Sequence, residues 1–188
     1  RKRDRRSKRH YCKNIFLMKL SVVSGGFDPL HIGHLELFER SAAMADKLFV
    51  IVNTDQFLTN KKGKPFMPLR ERMMIVQALK PVNLTIKSID EDQTVCATLK
   101  FVNEMYRNKF DKIIFCNGGD RVEGGDTPEH DLCNEIGIEP VYGLGEKVQS
   151  SSWLTKGSRP KTLKDLPEDT RIQRVVKEHI LSLEQKKI

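Results

Sequence analysis

Apolar residues fall along this chain in short runs separated by amphipathic stretches, and the two patterns alternate. Residues 16–24 form an apolar run that ends on Gly25-Gly26. Residues 48–53 form a near-continuous one, as expected of a strand covered on both faces. Residues 83–89 and 112–116 predict a third and a fourth strand, and 140–143 a fifth, shortened by its proline. Between them the spacing turns helical. A segment over roughly 32–45 puts Leu35, Phe38, Ala42 and Ala45 on one face, and Leu69, Met73 and Val76 mark a second helix, closed off by Pro81. Val95, Leu99, Val102 and Tyr106 recur at i, i+4, i+7 and i+11, one buried stripe of a third. Thr127-Pro128 opens a short helix that Gly137 closes, the usual Pro-first, Gly-last order. Past a linker at 157–166, Pro167 starts a last helix with Ile172, Val175, Val176, Ile180 and Leu183 in one stripe. That stripe is expected to dock onto the body, a homodimer seam being the alternative. Residues 54–68 are polar and rich in Lys, Gly and Pro, and read as a loop long enough to act as a mobile lid.

Strand and helix patterns in alternation predict an α/β fold: a Rossmann-like doubly wound parallel sheet of about five strands, helices on both faces, and a C-terminal helix. A length of 188 residues suits one such domain, over 14–156.

Charge changes the picture only at the start. The net +8 is concentrated in residues 1–13, which hold eight Lys/Arg and one acid, while the rest carries 25 basic against 24 acidic side chains. The basic stretch is expected to be a disordered tail, and nucleic acid, if bound at all, is expected to meet the tail rather than the folded body. Nuclear entry through the tail is a further expectation. Its flanking apolar run is too short for a signal peptide and no stretch is long enough to span a membrane, so no membrane partner is expected. Cys12, Cys96, Cys116 and Cys133 lie far apart without a C-x-x-C spacing, which reads as reduced thiols in a cytoplasmic compartment rather than a zinc site. A chain that opens on Arg is expected to be processed or excised from a longer one.

The segment with the most chemistry is Gly25-Gly26-Phe27-Asp28-Pro29-Leu30-His31-Ile32-Gly33-His34. It leaves the first strand, turns on glycines and enters a helix at the second histidine. Backbone N–H groups and a positive helix end then lie at the carboxyl edge of the sheet, where phosphates bind. Gly33 lets a phosphate approach the main chain, with an imidazole on either side.

This segment resembles the H-x-G-H signature, in its G-x-F-D-x-x-H-x-G-H form, of the cytidylyltransferase-like nucleotidyltransferases, where it binds the triphosphate of CTP or ATP. The resemblance runs over roughly 16–156. It takes in Thr54-Asp55, a Lys-rich loop (Lys61, Lys62, Lys64) and the Glu71-Arg72 pair. Asn117-Gly118-Gly119-Asp120 resembles the G-G-D of heptose-1-phosphate adenylyltransferases and the G-D-D of ethanolamine-phosphate cytidylyltransferases. Ser150-Ser151-Ser152-Trp153 resembles the I-S-S-T segment that holds β- and γ-phosphates at a late helix. The Arg that several branches place after that segment falls here on Thr155, with Lys156 next. Class I aminoacyl-tRNA synthetases share a related signature, but this chain is too short for one and lacks K-M-S-K-S.

The resemblance implies transfer of a nucleotidyl unit from CTP or ATP to a phosphorylated sugar, alditol or aminoalcohol, with release of pyrophosphate. Nicotinamide mononucleotide and phosphopantetheine are alternative acceptors for the same chemistry. A nucleic-acid-binding or regulatory module using the basic tail is the alternative from another class. On the enzymatic reading His31 and His34 donate to triphosphate oxygens, and Lys62 or Lys64 closes over them. Gly25, Gly26, Phe27, Asp28, Gly33, Asn117, Gly118, Gly119, Asp120 and Ser150–Ser152 bind the nucleotide. Arg72, Lys61, Asp55 and Trp153 serve the acceptor or the phosphates. Mg²⁺ is expected as cofactor, bridging phosphate oxygens with few protein ligands.

Overall fold

The computed structural model describes residues 17–118, 127–145 and 150–155, the side chain of Trp153 excepted. The basic stretch 1–13, Gly119, Asp120, Lys156, the 157–166 linker and the helix expected from Pro167 lie outside the described residues. One sheet carries β1 (Lys19–Gly25), β2 (Lys47–Val52), β3 (Leu84–Lys87), β4 (Lys112–Gly118) and β5 (Glu139–Leu144). Its order is β3-β2-β1-β4-β5, and every pairing is parallel. The helices are α1 (Ile32–Ala43), α2 (Asp55–Lys62), α3 (Leu69–Gln77), α4 (Cys96–Tyr106), α5 (Pro128–Ile136) and α6 (Ser151–Thr155).

The period of two in the strands builds two cores. Leu20, Val22, Phe49, Ile51 and Phe115 face one way and pack on Leu99 and Val102 of α4 and Leu132 and Cys133 of α5. Val23, Val50, Val52, Ile114 and Cys116 face the other way, onto Leu37 and Phe38 of α1 and Val76 of α3. With both faces covered, β1, β2 and β4 show no polar alternation, and the expected doubly wound sheet is observed. Burial pushes the Cys116 thiol up to about 11 and the Cys133 thiol to about 12, so both are inert packing atoms. No helix among the described residues is long and apolar enough to cross a membrane.

The chain steps from β1 outward through β2 to β3, then returns to the other side of β1 for β4 and β5. The reversal opens a crevice between the carboxyl ends of β1 and β4, the place where open α/β sheets hold ligands.

Two local expectations need correction. The buried face of α1 is Leu37, Phe38 and Ser41, while Leu35 and Ala42 are half-buried, so the stripe is rotated from the one the spacing suggested. The segment expected to be a loop is helical from Asp55 to Lys62. Thr54 caps it, its Oγ1 accepting the Phe57 N–H at 3.1 Å; Asp55 and the two lysines complement the helix dipole at opposite ends; and Gly63, at φ 92°, ends it. Phe57 and Leu58 are both buried and anchor it. Lys61 and Lys62 therefore stand on a docked helix end, and Lys64 lies just past it.

Candidate active site

At the end of β1 the chain turns through two glycines for steric reasons. A Cβ on Gly25 would lie 2.8 Å from the Phe27 ring, and one on Gly26 would lie 2.7 Å from Leu58 Cδ2. Phe27 itself sits at φ 51°, a left-handed conformation costly for a bulky residue. Burial offsets that cost: the ring is 2% exposed and packs edge-on against His34 at 5.0 Å and Phe38 at 5.1 Å.

His31 occupies the N-cap of α1 and His34 its first turn. The two imidazoles stack with centroids 3.7 Å apart. His34 Nδ1 accepts the His31 main-chain N–H at 3.3 Å, which assigns the proton of the neutral ring to Nε2. His31 Nδ1 is buried and has no hydrogen-bond partner. Burial lowers His31 to about 4; burial, then the adjacent His31 and Lys62 charges, lower His34 to about 3. Near neutrality both rings are uncharged donors waiting for an acceptor.

They border a cavity of about 400 Å³ at the β1–β4 crevice. Gly25, Gly26, Phe27, Gly33, Asn117, Gly118, Lys61 and Ser150–Ser152 all reach it, so the structure brings together most of the residues singled out from the sequence. Ser151 Oγ donates to the Pro29 carbonyl at 2.9 Å, seating α6 against the glycine turn.

Other expected residues are employed elsewhere. Asp28 does not line the cavity: its Oδ2 and Oδ1 accept the Phe66 and Met67 N–H groups at 2.8 and 2.7 Å. Burial alone would raise this carboxyl, but those two donors and the Lys62 ammonium outweigh it and hold it below its usual value. Lys62 Nζ lies 3.1 Å from Asp28 Oδ2, which occupies it outside the cavity, and Lys64 is exposed and does not line it.

Arg72 is fully buried. Its guanidinium donates to the carbonyls of Gly26 (2.7 Å), Asn53 (2.8 Å) and Met67 (3.0 Å), and pairs with Asp55 Oδ1 at 2.6 Å. A side chain saturated in this way ties β1, β2 and the α2–α3 turn together, and neither it nor Asp55 reaches the cavity. His130 is half-buried with Nδ1 2.8 Å from the Tyr142 hydroxyl. Sequence reasoning missed Asn53, Gln93, Thr94 and Glu129, which also line the cavity. For Asn53 the signal was its place directly after an apolar strand, at the sheet's carboxyl edge; Gln93, Thr94 and Glu129 carry none.

The family model described as cytidylyltransferase-like matches residues 22–139, a span from β1 into β5 that holds the histidine pair. This chain belongs to the cytidylyltransferase-like family. Within it, glycerol-3-phosphate cytidylyltransferase of Staphylococcus aureus is 31% identical over 127 residues, 68% of this chain and 89% of that one. FAD synthase of Ferroglobus placidus is 40% identical over 75 residues, 40% of this chain and 49% of the relative, so the match spans about half that protein's length. Among solved structures, the lipopolysaccharide core biosynthesis protein of Thermoplasma volcanium covers 69% of this chain and 99% of its own, with a TM-score of 0.53 and 25% identity. The cytidylyltransferase-like fold thus accounts for the sheet order and for the placement of the histidines at its crevice.

Proposed function

We propose that this protein is a nucleotidyltransferase that moves an NMP unit from CTP or ATP to a phosphorylated sugar, alditol or aminoalcohol. The observation that carries the reading is the stacked His31–His34 pair: two neutral imidazoles at a helix N-terminus, one with an unpartnered buried nitrogen, beside a glycine turn. Such a corner suits an ionised phosphate chain, whose oxygens would supply the missing acceptors and draw protons onto the rings.

In the reaction an oxygen of the acceptor's phosphate attacks the α-phosphorus. A new P–O bond forms, the bond to the β-phosphate oxygen breaks, and pyrophosphate leaves with that electron pair. The nucleophile is already ionised, so no strong base is needed, and the protein's part is alignment and charge neutralisation. His31 and His34 act as donors as charge grows on the phosphate oxygens, with Lys61 facing them from the end of α2. Lys61 and Glu129 are the formally charged side chains among the described lining residues, too little positive charge for a triphosphate. The substrate we propose is the Mg²⁺ complex of the NTP, the ion held through phosphate oxygens with few protein ligands. The compartment we propose is cytoplasmic.

The test crosses four NTPs with a panel of phosphorylated acceptors and follows pyrophosphate. Release that requires CTP or ATP, Mg²⁺ and one acceptor class is expected. Release with no pair, from protein that folds normally, would reject the proposal.

A further inference from the structure

Asn53 is held by its main chain and left unused by its side chain. Its N–H donates to the Gly25 carbonyl at 2.9 Å, and its own carbonyl accepts from Arg72 at 2.8 Å, so the backbone is clamped from both sides at the end of β2. The residue lines the cavity and is 6% exposed, and its Oδ1 is buried without a hydrogen-bond partner. Buried side-chain oxygens in folded proteins are nearly always paired, with protein or with ordered water, so an orphan in a cavity-lining residue calls for a partner from outside the chain. Glu129, which also lines the cavity and is 8% exposed, accepts one bond, from the Val95 N–H at 3.2 Å, and makes no ion pair among the described residues.

The rest of the cavity constrains what meets these oxygens. The histidines, Gly33, Ser150–Ser152 and Lys61 suit the phosphate chain. Asn53, Gln93, Thr94 and Glu129 are left for the organic groups, the nucleoside of the NTP and the far end of the acceptor. An unchanged NTP affinity in an Asn53 variant separates the second from the first. An enclosed amide oxygen and a half-satisfied carboxylate both accept hydrogen bonds, and the carboxylate repels a second anion. We infer that Asn53 and Glu129 select the acceptor, requiring a phosphomonoester whose organic part presents hydrogen-bond donors, hydroxyl or ammonium, and rejecting acceptors with an apolar or anionic far end. This rests on the nucleotidyl-transfer reading and adds the specificity of the same site.

The experiment uses the full chain, wild type and with Asn53→Leu, which matches the amide in shape and removes its hydrogen bonding. Glycerol 3-phosphate and ethanolamine phosphate are compared with propyl phosphate and ethyl phosphate, which lack the donors. The wild type should prefer the donor-bearing member of each pair by at least about tenfold in kcat/KM, the order of one buried hydrogen bond. Asn53→Leu should shrink that preference to within about threefold while leaving NTP affinity within about twofold. The glycerol arm reports hydroxyl recognition and the ethanolamine arm ammonium recognition, and Glu129→Gln should weaken the second more than the first. If Asn53→Leu does not fold, Asn53→Ala, which removes the amide's hydrogen bonding without adding bulk, takes its place. A preference that survives either folded variant overturns the inference. If no pair of substrates releases pyrophosphate, the transfer reading has failed on its own. Calorimetric binding of the same four phosphates then decides: equal affinities in wild type and variant, or no binding, overturn the role of Asn53.

Discussion

Lys62 Nζ lies 3.1 Å from the Asp28 carboxylate and donates at 2.7 Å to the Asp28 carbonyl, so two neighbouring lysines at the end of α2 have different duties. Lys62 fastens the signature turn and Lys61 reaches the cavity. Lys61→Ala should lower turnover by about 10²-fold, the scale of one lost phosphate-stabilising group, with little change in melting temperature. Lys62→Ala should leave a buried carboxylate short of its cation and cost roughly 1–3 kcal/mol of stability. Denaturant unfolding and pyrophosphate release on both variants check the division. A reversed pattern would assign the phosphate contact to Lys62.

Arg72 should behave as a structural residue even though it resembles a substrate ligand in sequence. Arg72→Met strands the Gly26, Asn53 and Met67 carbonyls and should destabilise by about 3–5 kcal/mol, as breaking a buried charge network does. Arg72→Lys should recover little of it, because one ammonium cannot reproduce the planar fork that meets all four acceptors. Urea midpoints give the answer; a stable Arg72→Lys protein with an altered KM would contradict it.

His31→Ala and His34→Ala should each lose at least about two decades of turnover while NTP affinity falls far less, since their donors act mainly on charge that develops during reaction. The two losses should not add, because both rings serve one phosphate chain. His34→Asn, which can still accept the His31 N–H, is expected to restore melting temperature without turnover. Steady-state kinetics beside equilibrium nucleotide binding separate the effects.

Stability without nucleotide should depend on pH with a definite sign. Both histidines titrate lower in the folded chain, about 4 and about 3, than the ordinary 6.5, so below pH 6.5 the unfolded chain takes up protons that the folded one refuses. Stability present at pH 7 should therefore fall as pH drops from about 6.5 towards 3–4. Asp28, held below its usual value, adds a further loss as pH falls from the ordinary 3.8 towards the folded carboxyl's lower titration. Replacing both histidines by Asn should flatten the upper part of the curve and spare the lower part. Bound triphosphate should reverse the histidine effect, seen in calorimetry as proton uptake on binding between pH 5 and 6.

What the sequence revealed follows from how burial writes itself into a chain. Strands covered on both faces are unbroken apolar runs, so β1, β2 and β4 were legible, as was α5 from Thr127-Pro128 and Gly137. The helix α2 was hidden because its buried residues, Phe57 and Leu58, are adjacent and too few to set up a period; its real marks were the Thr54 cap and Gly63. The histidine corner was readable because glycines, histidines and strand end are contiguous. Asp28, Asp55 and Arg72 were misplaced because a charged residue beside a signature reads alike whether it meets a ligand or a cluster of main-chain groups. For Arg72 only the folded chain shows Gly26, Asn53 and Met67 converging on one guanidinium. Asn53 drew no notice because the absence of a partner is a property of three dimensions.

The bond from Ser151 to the Pro29 carbonyl joins residues 122 positions apart. The whole sheet, from β1 before Pro29 to β5, is made before α6 exists. On a ribosome the glycine turn and both histidines would already be folded onto β1 while the crevice still lacked the wall supplied by Ser150–Ser152. Until then the crevice is a trench with one side missing, and α6 supplies that side. A nucleotide captured earlier would find the histidines but not the serines. Arrival of α6 is in this sense the step that completes the lining.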